Sequence, residues 1–250
     1  MLQRDDKLTL PQRLLVRNSE KNEFAALYIA DLVCYNLFWR CSDMILPYTT
    51  VLIDMYGVIL EQSKGCLLKY SLDTFGQERY NEIESKIREE RLFDKAGLGE
   101  FTQYEFLKML GFDDPEYHMK RYIENYLTLD KGFIPFAERI SGKYDLVLLS
   151  NDISEWSEYI VKHFGIEKYF SHRTVSADVK CRKPDFKIYD LTLEKIGRAP
   201  SECIFIDNDV KNLLAAEEVG ISAVLFNRDG VHFDGASVES FEELCALIGA

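Results

Sequence analysis

A chain of 250 residues has room for one large domain or for a domain carrying an insert. Hydrophobic residues at 47% and charged residues at 29% are globular proportions, which argues against wholesale disorder. The net charge of −12 repels a phosphate backbone and an anionic bilayer, so neither nucleic acid nor a membrane surface is an expected partner.

Residues 1–48 read as an N-terminal helical extension. Its most apolar stretch, Phe24 to Trp39, is short for a bilayer span and contains Asp31 and Asn36. Leu27, Leu32, Phe38 and Trp39 are too apolar to stay in water. The helix is therefore expected to dock on the protein's own body or to make a homodimer contact. The start Met-Leu-Gln-Arg-Asp-Asp lacks the basic region and apolar run of a signal peptide. Six scattered cysteines form no Cys-x-x-Cys pair, which reads as reduced thiols in a soluble cytoplasmic protein.

Four short apolar runs follow as predicted strands: Thr50 to Asp54, Asp145 to Ser150, Cys203 to Asp207 and Ser222 to Phe226. Between the later ones, Glu155 to Phe164, Phe186 to Ile196 and Val210 to Val219 have helical length and apolar spacing. Alternation of this kind predicts an α/β protein with a parallel sheet covered on both faces. The interval from Glu61 to about Lys131 breaks the rhythm. It is helical and charged, clearest at Arg79 to Arg91 and at Gln103 to Leu110, where Thr102 and Glu105 are spaced as a capping box. The expected division is 49–61 with 132–250 as a catalytic core, and 62–131 as a helical cap.

Ligands of an open parallel sheet bind outside the carboxyl ends of its strands. Those ends deliver Asp54, then Ser150 and Asn151, then Asp207, Asn208 and Asp209. Lys183, before Pro184, is expected to open a helical segment nearby. A strand-end carboxylate can be a nucleophile, a hydroxyl and an amide can bind an anionic oxygen, a lysine can neutralise charge, and a second carboxylate can hold Mg²⁺.

These residues, in this order, resemble the motifs of the haloacid dehalogenase superfamily over about the last 200 residues. The resemblance implies a Rossmann-like parallel core with an inserted helical cap. It places Asp54 as nucleophile and metal ligand, Ser150 and Asn151 on the phosphoryl oxygens, and Lys183 as the charge-balancing lysine. The run Phe205-Ile206-Asp207-Asn208-Asp209 through Asn212 resembles the acidic fourth motif. The implied cofactor is Mg²⁺, held by Asp54, the backbone carbonyl of Tyr56, Asp207 and Asn208. The implied partner is a small-molecule substrate.

Two positions depart from the family's phosphatases. Tyr56 stands where they carry a second aspartate that protonates the leaving alkoxide, and a phenol with a pKa near 10 is a poor acid for that task. Asn208 replaces the second acidic residue of the fourth motif. The expected activity is therefore that of a phosphatase on a small phosphorylated metabolite, biased towards good leaving groups. The superfamily's haloacid dehalogenases also begin Asp-x-Tyr-Gly, and a halide needs neither proton nor metal to leave. Their fourth motif is serine-rich, with an aspartate where this chain has Asn212. No halide-binding segment surrounds Arg79, Arg88 or Arg91. A non-catalytic binding protein that kept the fold is the remaining alternative.

Overall fold

The computed structural model describes residues 48–63 and 65–250. The expected N-terminal helix and its homodimer contact lie outside the described residues. Among the described residues are six strands: β1 (Thr50–Ile53), β2 (Asp145–Ser150), β3 (His172–Val175), β4 (Cys203–Asp207), β5 (Ser222–Phe226) and β6 (Ala236–Val238). All pair in parallel, in the order β3-β2-β1-β4-β5-β6.

The central strands are buried along their length because both faces are covered. Successive side chains point to opposite faces. Val51 and Ile53 accordingly pack with Leu148, Ile204, Ile206 and Phe226 in one layer. Leu52 packs with Val147, Leu149, Phe205 and Leu225 in the other.

Among the described residues six helices separate β1 from β2, the first five being α1 (Leu67–Phe75), α2 (Gln77–Glu89), α3 (Leu92–Ala96), α4 (Gln103–Met109) and α5 (Pro115–Tyr126). The expected Arg79 to Arg91 helix thus ends earlier, and Arg91 takes a left-handed φ of 53° that turns the chain into α3. Thr102 forms the full capping box with Glu105, an arrangement whose loss costs about 1 kcal/mol. Asp114 accepts a hydrogen bond from the Tyr117 N–H, and Pro115 opens α5.

The remaining helices are α6 (Phe133–Ile140), α7 (Ser154–His163), α8 (Ser176–Val179), α9 (Phe186–Ile196), α10 (Val210–Val219) and α11 (Phe241–Leu247). The first layer takes Phe136, Trp156 and Leu244 from α6, α7 and α11, together with apolar side chains of α1 to α5. The second takes Ile188 from α9 and Leu213 from α10. Lys183 does not open α9 as expected. That helix begins at Phe186, where Asp185 accepts from the Lys187 N–H, and Lys183 lies in the preceding loop.

The chain leaves and re-enters the sheet region along two adjacent segments. The Glu61 N–H donates to the Thr128 carbonyl at 3.0 Å, and the Asp130 N–H to the Ile59 carbonyl at 2.9 Å. Arg228, just past β5, fastens both. Its guanidinium donates to the carbonyls of Gly57 (3.1 Å) and Val58 (3.0 Å) and pairs with Asp130. No helix among the described residues is long and apolar enough to cross a membrane.

Candidate active site

Register brings the acidic residues together. Ile53 is paired with Ile206, and the Asp54 N–H continues the ladder by donating to the Ile206 carbonyl at 2.9 Å. Asp54 and Asp207 therefore emerge side by side from adjacent strands at the carboxyl end of the sheet. Lys183 reaches between them. Its Nζ lies 2.8 Å from Asp54 Oδ1 and 2.7 Å from Asp207 Oδ2, and also donates to the Leu149 carbonyl at 2.9 Å. An ammonium has three protons to donate, and each has a partner here.

Burial decides how these groups ionise. The Lys183 side chain is 1% exposed. Burial pulls its pKa down, but the charges of Asp207 and Asp54 outweigh that and hold it raised, so the lysine stays charged. Asp54 is pushed up to about 7, first by burial and then by Asp207, against the opposing pull of Lys183 and the Met55 N–H. One ammonium facing two carboxylates leaves the cluster short of positive charge.

Asn151 spends both ends of its amide on the Lys183 backbone: Oδ1 accepts from the Lys183 N–H at 2.8 Å, and Nδ2 donates to its carbonyl at 2.9 Å. It therefore positions the loop that carries the lysine. Ser150 is fully buried, its hydroxyl has no partner among the described residues, and it does not line the cavity described below. Asp207 is also fully buried. Oδ1 accepts from the Asp209 N–H at 2.7 Å, and Oδ2 accepts from Lys183 and from Asn212 Nδ2 at 3.0 Å. Asp209 additionally caps α10 through the Lys211 N–H.

Tyr56 directs its hydroxyl at Asp152 Oδ1 over a long 3.4 Å. Burial, then Asp152, raises the phenol pKa well above its ordinary value, so it stays protonated. Asp152 does not cap α7. It is fully buried, its Oδ2 has no partner among the described residues, and burial pushes its carboxyl up to about 8.

The sequence reading missed two fastenings around this cluster. One is Arg228 on the loop that follows Asp54. The other is Asp94 of α3, which pairs with Arg182, the neighbour of Lys183. A lone arginine or aspartate outside any motif gives no signal of either.

Asp54, Tyr56, Asn151, Lys183, Asn208, Asp209 and Asn212 line a cavity of about 740 Å³, closed on its other side by residues of α1, α2, α3 and α5. The groups available to Mg²⁺ are all oxygen donors, which is the chemistry that ion requires. Among the described residues no group of three His, Cys, Asp or Glu could hold a metal alone. Gly57 supplies room instead: at its φ of +79°, a Cβ would lie 2.2 Å from Asn208 Nδ2, so glycine is what lets the Asn208 side chain settle beside Asp54's loop. Mg²⁺ commonly keeps waters and binds through one or two carboxylates plus substrate phosphate. Asp54, the Tyr56 carbonyl and Asn208 fit that pattern, with Asp207 held behind them by its protein partners.

A parallel sheet with acidic strand ends gathered round a buried lysine defines an α/β protein whose charged groups stand where ligands of such sheets bind. The chain belongs to the haloacid dehalogenase-like hydrolases, whose family profile matches residues 48–220. It is 28% identical over 117 residues to a glyceraldehyde 3-phosphate phosphatase of Methanothermobacter thermautotrophicus, covering 43% of this chain and 51% of that protein. Over 90 residues it is 28% identical to (S)-2-haloacid dehalogenase 4A of Burkholderia cepacia, covering 36% and 39%. The chain therefore spans about half or less of the length of these relatives. An enzyme of the same family from Bacteroides thetaiotaomicron, solved with magnesium and inorganic phosphate, superposes with a TM-score of 0.63 at 23% identity, covering 75% of this chain and 98% of that one. A phosphatase from Thermococcus onnurineus gives 0.62 at 23% identity, covering 80% and 98%. At these identities the superpositions establish the fold.

Proposed function

We propose that this hydrolase is a Mg²⁺-dependent phosphatase that prefers activated phosphates, with Asp54 as nucleophile and the helices of 62–131 as a cap over the cavity. The observation that carries the reading is the Asp54–Lys183–Asp207 cluster, with Asp54 and Lys183 on the cavity floor and the second strand-end carboxylate, Asp207, buried beneath them. Asp54 Oδ attacks phosphorus, the bond from phosphorus to the leaving oxygen breaks with its electron pair, and an aspartyl phosphate forms. Water then cleaves that acyl phosphate, which releases phosphate and restores the carboxylate. Lys183 holds Asp54 in place and offsets its charge, while Asn151 fixes the lysine's loop. When bound, Mg²⁺ would add positive charge beside the nucleophile and the phosphoryl oxygens; Asp54, the Tyr56 carbonyl and Asn208 are the residues that would hold it, while Asp207, buried behind them, holds Lys183. Similarity to a glyceraldehyde 3-phosphate phosphatase supports the reaction type.

Tyr56 sets the preference. Its phenol is held protonated against Asp152, so no group of low pKa stands two residues after Asp54 to protonate a leaving alkoxide. Acetyl phosphate and p-nitrophenyl phosphate, which leave as stable anions, should turn over in Mg²⁺, while glycerol 3-phosphate should lag by about 10²- to 10⁴-fold, the usual value of a general acid. Initial rates on the three compounds, with and without Mg²⁺, check this. Equal rates would show that another residue supplies the proton. Turnover of 2-chloropropanoate alone, independent of metal, would replace the phosphatase with a dehalogenase.

A further inference from the structure

The cavity is divided by polarity. Asp54, Asn151 and Lys183 form a polar floor on the sheet side, whereas Leu67, Leu68, Ile87, Phe93 and Tyr122 form the wall presented by α1, α2, α3 and α5. Leu68, Ile87 and Phe93 are only half-buried, so they keep apolar surface facing the void. The Tyr122 hydroxyl is taken up by the Cys66 N–H at 3.4 Å, which leaves its ring as wall. The two arginines that line the cavity, Arg88 and Arg91, are about three-quarters exposed and carry their charge towards solvent, Arg88 lying 2.9 Å from Glu84 and Arg91 donating to Asp94 at 2.8 and 3.0 Å. The wall therefore asks for hydrocarbon more than for a second anion. A void of about 740 Å³ falls in the range that encloses drug-sized ligands. A three-carbon phosphate or haloacid would occupy a small part of it and leave Leu68, Ile87 and Phe93 wet.

We propose that the substrate joins its phosphoryl head to an extended apolar body, alkyl or aryl, that lies against Leu68, Ile87 and Phe93. This rests on the phosphatase reading for the head alone. Acyl phosphates separate body from leaving group, since acetate, butanoate and hexanoate leave with nearly the same ease. The kcat/KM for acetyl, butanoyl and hexanoyl phosphate should rise about threefold to fourfold per methylene, the factor expected for burying each one. Methyl-, butyl- and hexylphosphonate, titrated into the Mg²⁺-loaded protein by calorimetry, should tighten by the same factor without any chemistry. Ile87→Asp should flatten both series, and should that variant not fold, the wild-type series decides by itself.

The two arms separate the two claims. Phosphonates that tighten with length while no acyl phosphate turns over would leave the apolar body standing and remove the phosphatase. Acyl phosphates turned over at one common kcat/KM, with phosphonate affinity flat, would overturn the apolar body and leave the phosphatase. Neither binding nor turnover would overturn both.

Discussion

Exchange of Asp54 for Asn should lower kcat on acetyl phosphate by about 10⁴- to 10⁶-fold, the range found when a covalent nucleophile or a close partner of one is removed. The side chains are nearly isosteric, and the amide oxygen can still accept from Lys183, so the loss is chemical rather than structural. Stability should rise or stay level. Asp54 is an acid whose pKa is pushed up to about 7 by burial and by Asp207, which means its ionised form is held at a cost near neutral pH. The neutral amide removes that cost and leaves Lys183 and Asp207 matched one to one. Stoichiometric labelling of the wild-type protein by acetyl [³²P]phosphate, absent in the variant, would identify the phosphorylated carboxylate. A variant that kept wild-type turnover would end the assignment.

Lys183→Met should damage both stability and activity, and its effect on stability should depend on pH. Removing the ammonium leaves two adjacent carboxylates buried without a counter-charge, a change that typically costs about 3–5 kcal/mol. Lys183 is the principal group that lowers the Asp54 pKa, so without it that pKa climbs further above its unfolded value. The sign follows from linkage. The folded variant holds a proton that the unfolded chain releases near pH 4, so stability declines as pH rises from about 4 through the folded pKa. Urea unfolding should therefore show the variant closer to wild type at pH 5.5 than at pH 8. Its acid limb of activity should move to higher pH, because the ionised nucleophile appears later. A penalty independent of pH would mean that the carboxylates do not depend on the lysine.

The sequence carried the centre of the sheet well and its margins poorly. β1, β2, β4 and β5 are covered on both faces, and so they read as continuous apolar runs. The strands it did not announce, β3 and β6, lie at the two edges of the sheet. Each has one strand neighbour, and their sequences, His-Arg-Thr-Val and Ala-Ser-Val, contain little that must be hidden. The same logic holds in the site. Asp54, Lys183 and Asp207 were legible because they follow buried strands or precede a proline in an order that resembles the family's motifs; Lys183 by itself, next to Arg182, reads as an ordinary surface lysine. Asn151 was legible as a polar strand end but not in its task, since the amide's partner lies 32 residues away on another loop. Arg228 depends on carbonyls 170 and 171 residues distant and on Asp130. The apolar wall was hidden for a further reason: Leu68 and Ile87 follow helical spacing, and such spacing looks the same whether the stripe meets a core or a void.

The position of β1 at the middle of the sheet has a consequence for how the protein would fail. A strand paired on both sides is released only when the sheet itself comes apart, so Asp54 is mounted on the portion of the chain that yields last. Leu68, Ile87 and Phe93 are mounted on short helices outside any sheet, which can loosen earlier and separately. Under rising temperature or denaturant, discrimination among substrates would fade before the capacity to cleave a phosphate, and an ageing preparation would become less choosy before it became inactive.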